Sequence, residues 1–195
     1  MKLVFASNNA HKLSEVRQIL SHIEIVSLRE IGFYGEIDET GQTLEDNSRL
    51  KSLAVWEWLL SNGKASGYDG VFADDTGLEI FALNQQPGVY SARWAGEPSN
   101  DANNRAKALS ELSGILNREA RFRTVITLIG RRYDVQVDGI IQGRIAEQES
   151  GEQGFGYDSI FIPEGYSCTF AMLSSSEKNA ISHRARALRA LRDIL

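Results

Sequence analysis

One stretch limits what this chain can become more than any other: Val71-Phe72-Ala73-Asp74-Asp75-Thr76-Gly77-Leu78-Glu79-Ile80, which reads as a buried strand except for two adjacent acids. Apolar residues on both sides draw at least one carboxylate into low dielectric, where an unpaired charge costs several kcal/mol, roughly, even after relaxation. A divalent cation, a lysine or a set of backbone donors must compensate. Gly77 permits the positive φ or the close backbone approach that a strand needs to turn at a ligand. The other reading is an Asx-type turn that ends the strand, with Asp74 and Asp75 satisfying local N–H groups.

A strand of this kind needs a core. With 195 residues, 42% of them hydrophobic, the chain can build one domain, or one domain with a sub-lobe. No repeat, low-complexity tract or Pro/Gly linker divides it. The single Cys168 excludes a disulfide framework and a cysteine-rich zinc site, and it favours a reducing, cytoplasmic setting. His11, His22 and His183 are too few for a multi-histidine metal centre. The apolar run from Leu3 to Ala6 is too brief for a signal peptide, and no segment approaches ~18 apolar residues, so a soluble protein is expected. A formal net charge of −5 argues against broad binding to nucleic acid or anionic membrane. Local basic clusters can still hold a small phosphorylated ligand.

Lys2 to Ala6 predicts a short buried strand. Leu13, Val16, Leu20 and Ile23 then recur at helical spacing, which makes Ser7-Asn8-Asn9-Ala10-His11-Lys12 a strand-to-helix turn. Such a turn presents backbone N–H groups and the positive end of a helix dipole. Lys12 opposes that dipole unless an anion lies in front of it, and an Asn N-cap beside a solvated lysine is the alternative. The P-loop pattern is absent. Ile25 to Leu28 predicts a second strand, followed by an acidic loop through Glu36, Asp38, Glu39, Thr40 and Gly41. Thr43 caps a helix that runs to about Leu60 and stops at Asn62-Gly63. Asn47 and Lys51 share a face of it with Ala54 and Trp58, so Lys51 either snorkels or reaches for an anion.

Gln86 to Trp94 reads as a turn followed by an aromatic-rich extended piece, and Ser99 to Leu116 as a helix. Arg121 to Ile129 and Tyr133 to Val137 alternate as strands joined by a hairpin at Gly130-Arg131-Arg132, and Ile140 to Ala146 predicts a third. The expected class is α/β, a mixed sheet flanked by helices whose second half is a more antiparallel lobe. In Glu149 to Asp158, glycines frame Phe155, which either plugs the core from a loop or offers its face to a flat ligand. Asp158, three residues on, is placed to accept from ring N–H groups. Ser174 to Glu177 predicts the cap of a C-terminal helix buried through Ala185, Leu188, Leu191 and Leu195, with Arg186, Arg189 and Arg192 on its solvated face.

Seven motifs occur in order: Ser7-Asn8-Asn9-x-x-Lys12, Asp38-Glu39-Thr40-Gly41, Glu45-x-Asn47-x-x-x-Lys51, Ala73-Asp74-Asp75-Thr76-Gly77-Leu78, Pro87-Gly88-Val89-Tyr90-Ser91-Ala92-Arg93, Phe155-Gly156-Tyr157-Asp158 and Glu177-Lys178-Asn179-Ala180-Ile181-Ser182-His183-Arg184. Together they resemble the inosine triphosphate pyrophosphatase family, over nearly the whole chain. The resemblance implies Mg²⁺-dependent hydrolysis of a non-standard purine nucleoside triphosphate (ITP, dITP or XTP) between the α and β phosphorus atoms. It implies an elongated, two-lobed α/β subunit with its site in a cleft between the lobes, usually in a cytoplasmic homodimer. By position, Ser7, Asn8, Asn9, Ala10, His11, Lys12 and Lys51 would hold the triphosphate. Glu39 and Asp75 would serve the metal, with Asp75 also orienting or deprotonating the water. Thr76 would contact phosphates or sugar. Phe155, within Phe155-Gly156-Tyr157-Asp158, would stack on the base, and Asp158, Lys178, His183 and Arg184 would read its edge.

Two rival enzymes and one binding module remain. A haloacid-dehalogenase-type phosphatase wants Asp-x-Asp, which Asp74-Asp75-Thr76 does not provide. A Maf-like nucleotide pyrophosphatase shares the chemistry with another base preference. A nucleotide-binding sensor would bind without releasing pyrophosphate.

Overall fold

The computed structural model describes residues 1–195. Its strands are β1 (Lys2–Phe5), β2 (Glu24–Ser27), β3 (Gly70–Ile80), β4 (Gln86–Gly88), β5 (Glu119–Ile129), β6 (Asp134–Ile145) and β7 (Phe161–Pro163). Its helices are α1 (Ala10–Ile19), α2 (Leu28–Ile31), α3 (Leu44–Ser61), α4 (Asp101–Glu111), α5 (Ser175–Ile181) and α6 (His183–Arg192). One mixed sheet runs β2-β1-β3-β5-β6-β7, and β4 pairs with β3 outside that path. β1 is parallel to β2 and β3; β4 and β7 are antiparallel to their neighbours β3 and β6. The expected α/β class, a mixed sheet flanked by helices, is the observed one.

The chain forms two compact units. Unit 1 holds Met1–Asp75, Thr124–Gly139 and Ala185–Leu195; unit 2 holds Thr76–Arg123 and Ile140–Arg184. β3, β5 and β6 each contribute residues to both.

In unit 1 the period-2 alternation of strands sorts side chains onto two apolar layers. Leu3, Phe5 and Phe72 join Val16 and Leu20 of the α1 segment and Leu188 and Leu191 of α6. Val4, Val71 and Ala73 join Leu28 and Ile31 of α2 and Val55 and Leu59 of α3. With helices on both faces, β1 and β3 read as continuous apolar runs, as buried parallel strands do. The core of unit 2 gathers Leu78, Ile80, Ala108, Leu112, Phe122, Phe161 and Phe170.

Local chemistry sets the helix starts. Asn9, Thr43 and Asn100 each accept the N–H three residues on, and Ser174 with Glu177 forms a capping box. A second capping box, Ser27 with Glu30, starts the short α2 where the sequence suggested that a strand continued through Leu28.

Several expectations need correction. The acidic pair does not end a strand in an Asx turn: β3 runs unbroken through Asp74 and Asp75. Gly77 does allow a close approach, but to backbone rather than to a ligand, since a Cβ there would lie 2.7 Å from Gly88 O of β4. The strands expected over Tyr133–Val137 and Ile140–Ala146 merge into one, β6 (Asp134–Ile145), which Gly139 does not break. Around Pro87 the order is reversed: a short strand comes first, and Val89 to Gly96 then winds through successive turns closed by bonds such as Ser91 N–H to Gly88 O. α4 stops at Glu111, well before Leu116. The C-terminal helix is two helices, because Ser182 adopts extended dihedrals between Ile181 and His183.

Candidate active site

The same alternation that builds the core of unit 1 separates the two acids. Asp74 follows Phe72 by two residues and shares its face, the one covered by α1; Asp75 follows Ala73 and shares the face covered by α3. Each carboxylate meets a lysine from its own helix. Lys12 Nζ donates to Asp74 Oδ1 at 3.1 Å. Lys51 Nζ donates to Asp75 Oδ1 at 2.8 Å and to Glu39 Oε1 at 3.2 Å. Lys51 is therefore not a snorkelling lysine: it is 7% exposed and ends on two carboxylates.

Asn47, one turn before Lys51, completes this group. Its Nδ2 donates to Asp75 Oδ2 at 3.4 Å, and its Oδ1 accepts from Gly41 N–H at 2.8 Å. The loop carrying Glu39 is thus tied to the helix carrying Lys51. The sequence places Asn47 on the right face without giving it a role; its spacing of four from Lys51 was the available signal. Behind it, Ser48 Oγ donates to Ala73 O at 2.9 Å and Ser52 Oγ to Thr127 O at 2.7 Å, so buried hydroxyls pin α3 to the strands.

Burial pushes the Asp75 carboxyl above its ordinary value, and Lys51 and Lys12 only partly counter it. Burial alone would lower Lys51, but the charges of Asp75, Glu39 and Asp74 outweigh it and hold the ammonium above its ordinary value. Asp75 is therefore a carboxylate with unusual proton affinity beside a firmly charged ammonium. A buried ion pair of this kind contributes little net stability compared with apolar residues of similar volume. Ser7 is half-buried and Asn8, Asn9, Ala10 and His11 are exposed around the start of α1, where Asn9 caps the helix through Lys12 N–H at 3.0 Å.

Two lysines face three carboxylates here, Asp74, Asp75 and Glu39. An excess of acid repels polyphosphate unless a cation joins it. Carboxylate oxygens are the donors that Mg²⁺ takes, commonly one or two of them together with substrate phosphates. Glu39 and Asp75 carry oxygens of that kind, and Lys51 Nζ lies between them.

Unit 2 presents a different cluster. Phe155 stands on a loop that turns at Gly154, with φ of +80°, where a Cβ would fall on the Asp158 carboxylate. Asp158 Oδ2 accepts Phe155 N–H at 2.9 Å and the Lys178 ammonium at 2.7 Å. Lys178 Nζ lies 4.8 Å and the Arg184 guanidinium 5.7 Å from the Phe155 ring centre. Arg184, 2% exposed, also donates to Thr76 Oγ1 at 3.3 Å. His183 stacks on Phe122 at 4.6 Å within the aromatic core. Tyr157 is buried, its hydroxyl donates to Ser91 O at 2.8 Å, and burial, with the Asp101 charge, pushes its pKa up. Gly156, half-buried, is held through its backbone by Asp101 and Arg105.

The structure thus brings Lys12, Lys51, Glu39 and Asp75 together in unit 1, and Thr76, Phe155, Asp158, Lys178 and Arg184 together in unit 2. A sequence model of the Ham1 family matches residues 3–194. The dITP/XTP pyrophosphatase of Flavobacterium psychrophilum is 50% identical over 194 residues, covering 99% of this chain and 98% of that protein. That of Porphyromonas gingivalis is 49% identical over 196 residues, covering 100% and 97%. The Ham1 protein of Staphylococcus aureus has a structure similar to this one, with a TM-score of 0.84 at 38% identity, covering 100% of this chain and 97% of that one. The chain belongs to the Ham1 family.

Proposed function

We propose that this protein is a nucleoside-triphosphate pyrophosphatase that hydrolyses ITP, dITP and XTP to the monophosphate and pyrophosphate, clearing non-standard purines from the nucleotide pool. The single observation that carries the mechanism is Lys51 bridging Asp75 and Glu39 inside unit 1. Attack of water at phosphorus needs charge neutralisation and positioning more than a covalent nucleophile. Lys12 and Lys51 supply fixed positive charge for the triphosphate, and the segment Ser7 to His11, which leads into α1, supplies backbone donors and the helix dipole. Asp75 orients the attacking water and, with its raised proton affinity, takes the proton at a carboxylate oxygen. Asn47 holds the second Asp75 oxygen and the Glu39 loop in register. A Mg²⁺ held by Glu39 and Asp75 would polarise the phosphates and neutralise their charge.

In unit 2, Phe155 offers a platform for the base and Thr76, next to Asp75 in β3, contacts phosphate or sugar. Arg184 and Lys178 supply donors for the 6-keto oxygen of a hypoxanthine or xanthine ring, and His183 is stacked on Phe122. Asp158 orders Lys178 and the Phe155 loop and accepts from the ring N–H at position 1. Adenine presents an amino donor to these donors and lacks the N–H at position 1. Two unsatisfied groups at about 1–3 kcal/mol each correspond to roughly 30-fold to 10⁴-fold discrimination against ATP. A cytoplasmic homodimer belongs to the same reading, and sedimentation velocity tests the dimer.

The test is pyrophosphate release from ITP, dITP, XTP, GTP and ATP with Mg²⁺. Preference for ITP, dITP and XTP over ATP is expected. Tight binding of nucleotide without pyrophosphate release would make the protein a sensor instead, and preference for another base would turn the reading toward a Maf-like specificity.

A further inference from the structure

α4 has no part in the chemistry above, yet it holds the loop on which Phe155 stands. Asp101 and Arg105 lie four residues apart and so share one side of the helix. Asp101 Oδ2 accepts Gly156 N–H at 2.8 Å, while Arg105 Nη1 donates to Gly156 O at 2.9 Å. Both polar groups of the residue after Phe155 are therefore taken by one helix. Arg105 Nε also donates to Glu149 Oε2 at 2.8 Å, and Ser159 Oγ donates to the same oxygen at 2.8 Å. One guanidinium thus ties the start of the loop to its end.

The loop needs such a restraint, because Gly154 and Gly156 have φ of +80° and +62° and glycine fixes no conformation by itself. The helix that supplies it is anchored in turn. Asn104, buried on the same helix, accepts from Ala95 N–H at 2.7 Å and donates to Ala92 O at 2.9 Å. Lys107 Nζ donates to Trp94 O at 2.9 Å. The clamp on Gly156 is thus built on a helix whose other attachments are to the turns after β4.

We propose that Asp101 and Arg105 are positioning residues for base recognition, clamping Gly156 so that the Phe155 ring is set before the nucleotide arrives. This rests on the reading of Phe155 as the base platform. A side chain that acts only by pre-ordering a platform changes ligand affinity and leaves the chemical step alone.

The experiment uses the full chain with Mg²⁺ and compares Asp101→Ala, Asp101→Asn, Arg105→Ala, Phe155→Ala and the Arg105→Ala/Phe155→Ala pair. It reads KM and kcat for ITP, and inhibition by inorganic tripolyphosphate, which has phosphates and no base. Arg105→Ala should raise KM about tenfold with kcat within about twofold, and Asp101→Ala about fivefold, with tripolyphosphate inhibition unchanged. Asp101→Asn keeps an acceptor oxygen and should stay near the parent. In the Phe155→Ala background, Arg105→Ala should add less than about twofold, because both act through one ring. The proposal is overturned if the alanine variants keep the parent KM, if their effects multiply fully with Phe155→Ala, or if tripolyphosphate inhibition weakens with them. Asp101 is exposed, so its variants carry the test if Arg105→Ala does not fold. An unchanged KM in Phe155→Ala alone would remove the base platform and the proposal together. A raised KM there with parent-like Asp101 and Arg105 variants would overturn only the clamp.

Discussion

The two units bury charge in opposite ways. In unit 1, lysines face carboxylates, and acid is in excess: Asp74, Asp75 and Glu39 against Lys12 and Lys51. In the Phe155 cluster of unit 2, Lys178 and Arg184 lie near the aromatic ring, and Lys178 also pairs with Asp158. Acid surrounding lysine suits a polyphosphate that arrives with a divalent cation. Donors beside a flat ring suit a purine that presents a keto oxygen. If the contrast is real, substitutions in unit 1 should change rate, metal demand and salt dependence, while substitutions in unit 2 should change which base is accepted.

The largest expected effect is at Asp75. Asp75→Asn keeps the side-chain volume and leaves Lys51 with Glu39, so the fold should hold while kcat falls by about 10²–10⁴. Circular dichroism and turnover of ITP check this. A folded variant with near-parent turnover would break the assignment of the chemical step to unit 1.

Lys51 sharpens it. Lys51→Met leaves Asp75 buried beside Glu39 without its cation, and breaking such a pair costs about 3–5 kcal/mol. Urea midpoints should show that loss, and the Lys51→Met/Asp75→Asn pair should recover part of it. The pH profile has a definite sign as well. Activity needs Asp75 deprotonated, and its carboxyl is raised from 3.8, so the acid limb of kcat/KM should lie above the ordinary aspartate range. Lys51 is the largest influence lowering it, so Lys51→Met should move that limb to higher pH. A limb that moves down would contradict the stated cause. Lys12→Met and Lys51→Met should both bind nucleotide with less sensitivity to salt.

Glu39→Gln should act more gently. Glu39 sits on the irregular loop before α3 and is exposed, so its loss should raise the Mg²⁺ needed for half-maximal rate about threefold to tenfold with modest change in kcat at saturation. Unchanged metal dependence would take Glu39 out of the site.

How much of this was legible follows from how local each feature is. Caps at Asn9, Thr43 and Ser174 depend on residues three apart, and the chain order shows them directly. The acidic pair stood out because charge inside an apolar run needs a partner, but the run could not say which one. The partners come from α1 and α3, 62 and 24 residues away from their acids, and only the pleat of β3 determines which lysine faces which acid. Asn47 is an i,i+4 neighbour of Lys51 whose role depends on Gly41 and Asp75. The break at Ser182 and the uninterrupted β6 went unread because dihedrals at one residue, and pairing with neighbouring strands, override local pattern. The clamp on Gly156 joins α4 to a loop 51 and 55 residues on, through backbone atoms that carry no side-chain signature.

The most direct test of the division between the units is the ratio of kcat/KM for ITP to that for ATP, measured in the parent, in Asp75→Asn and in Arg184→Ala. The parent ratio should be roughly 30 to 10⁴, Asp75→Asn should be much slower with that ratio kept, and in Arg184→Ala the ratio should fall toward one. Comparable parent values for ITP and ATP would contradict that division, as would a ratio that collapses in Asp75→Asn and survives in Arg184→Ala.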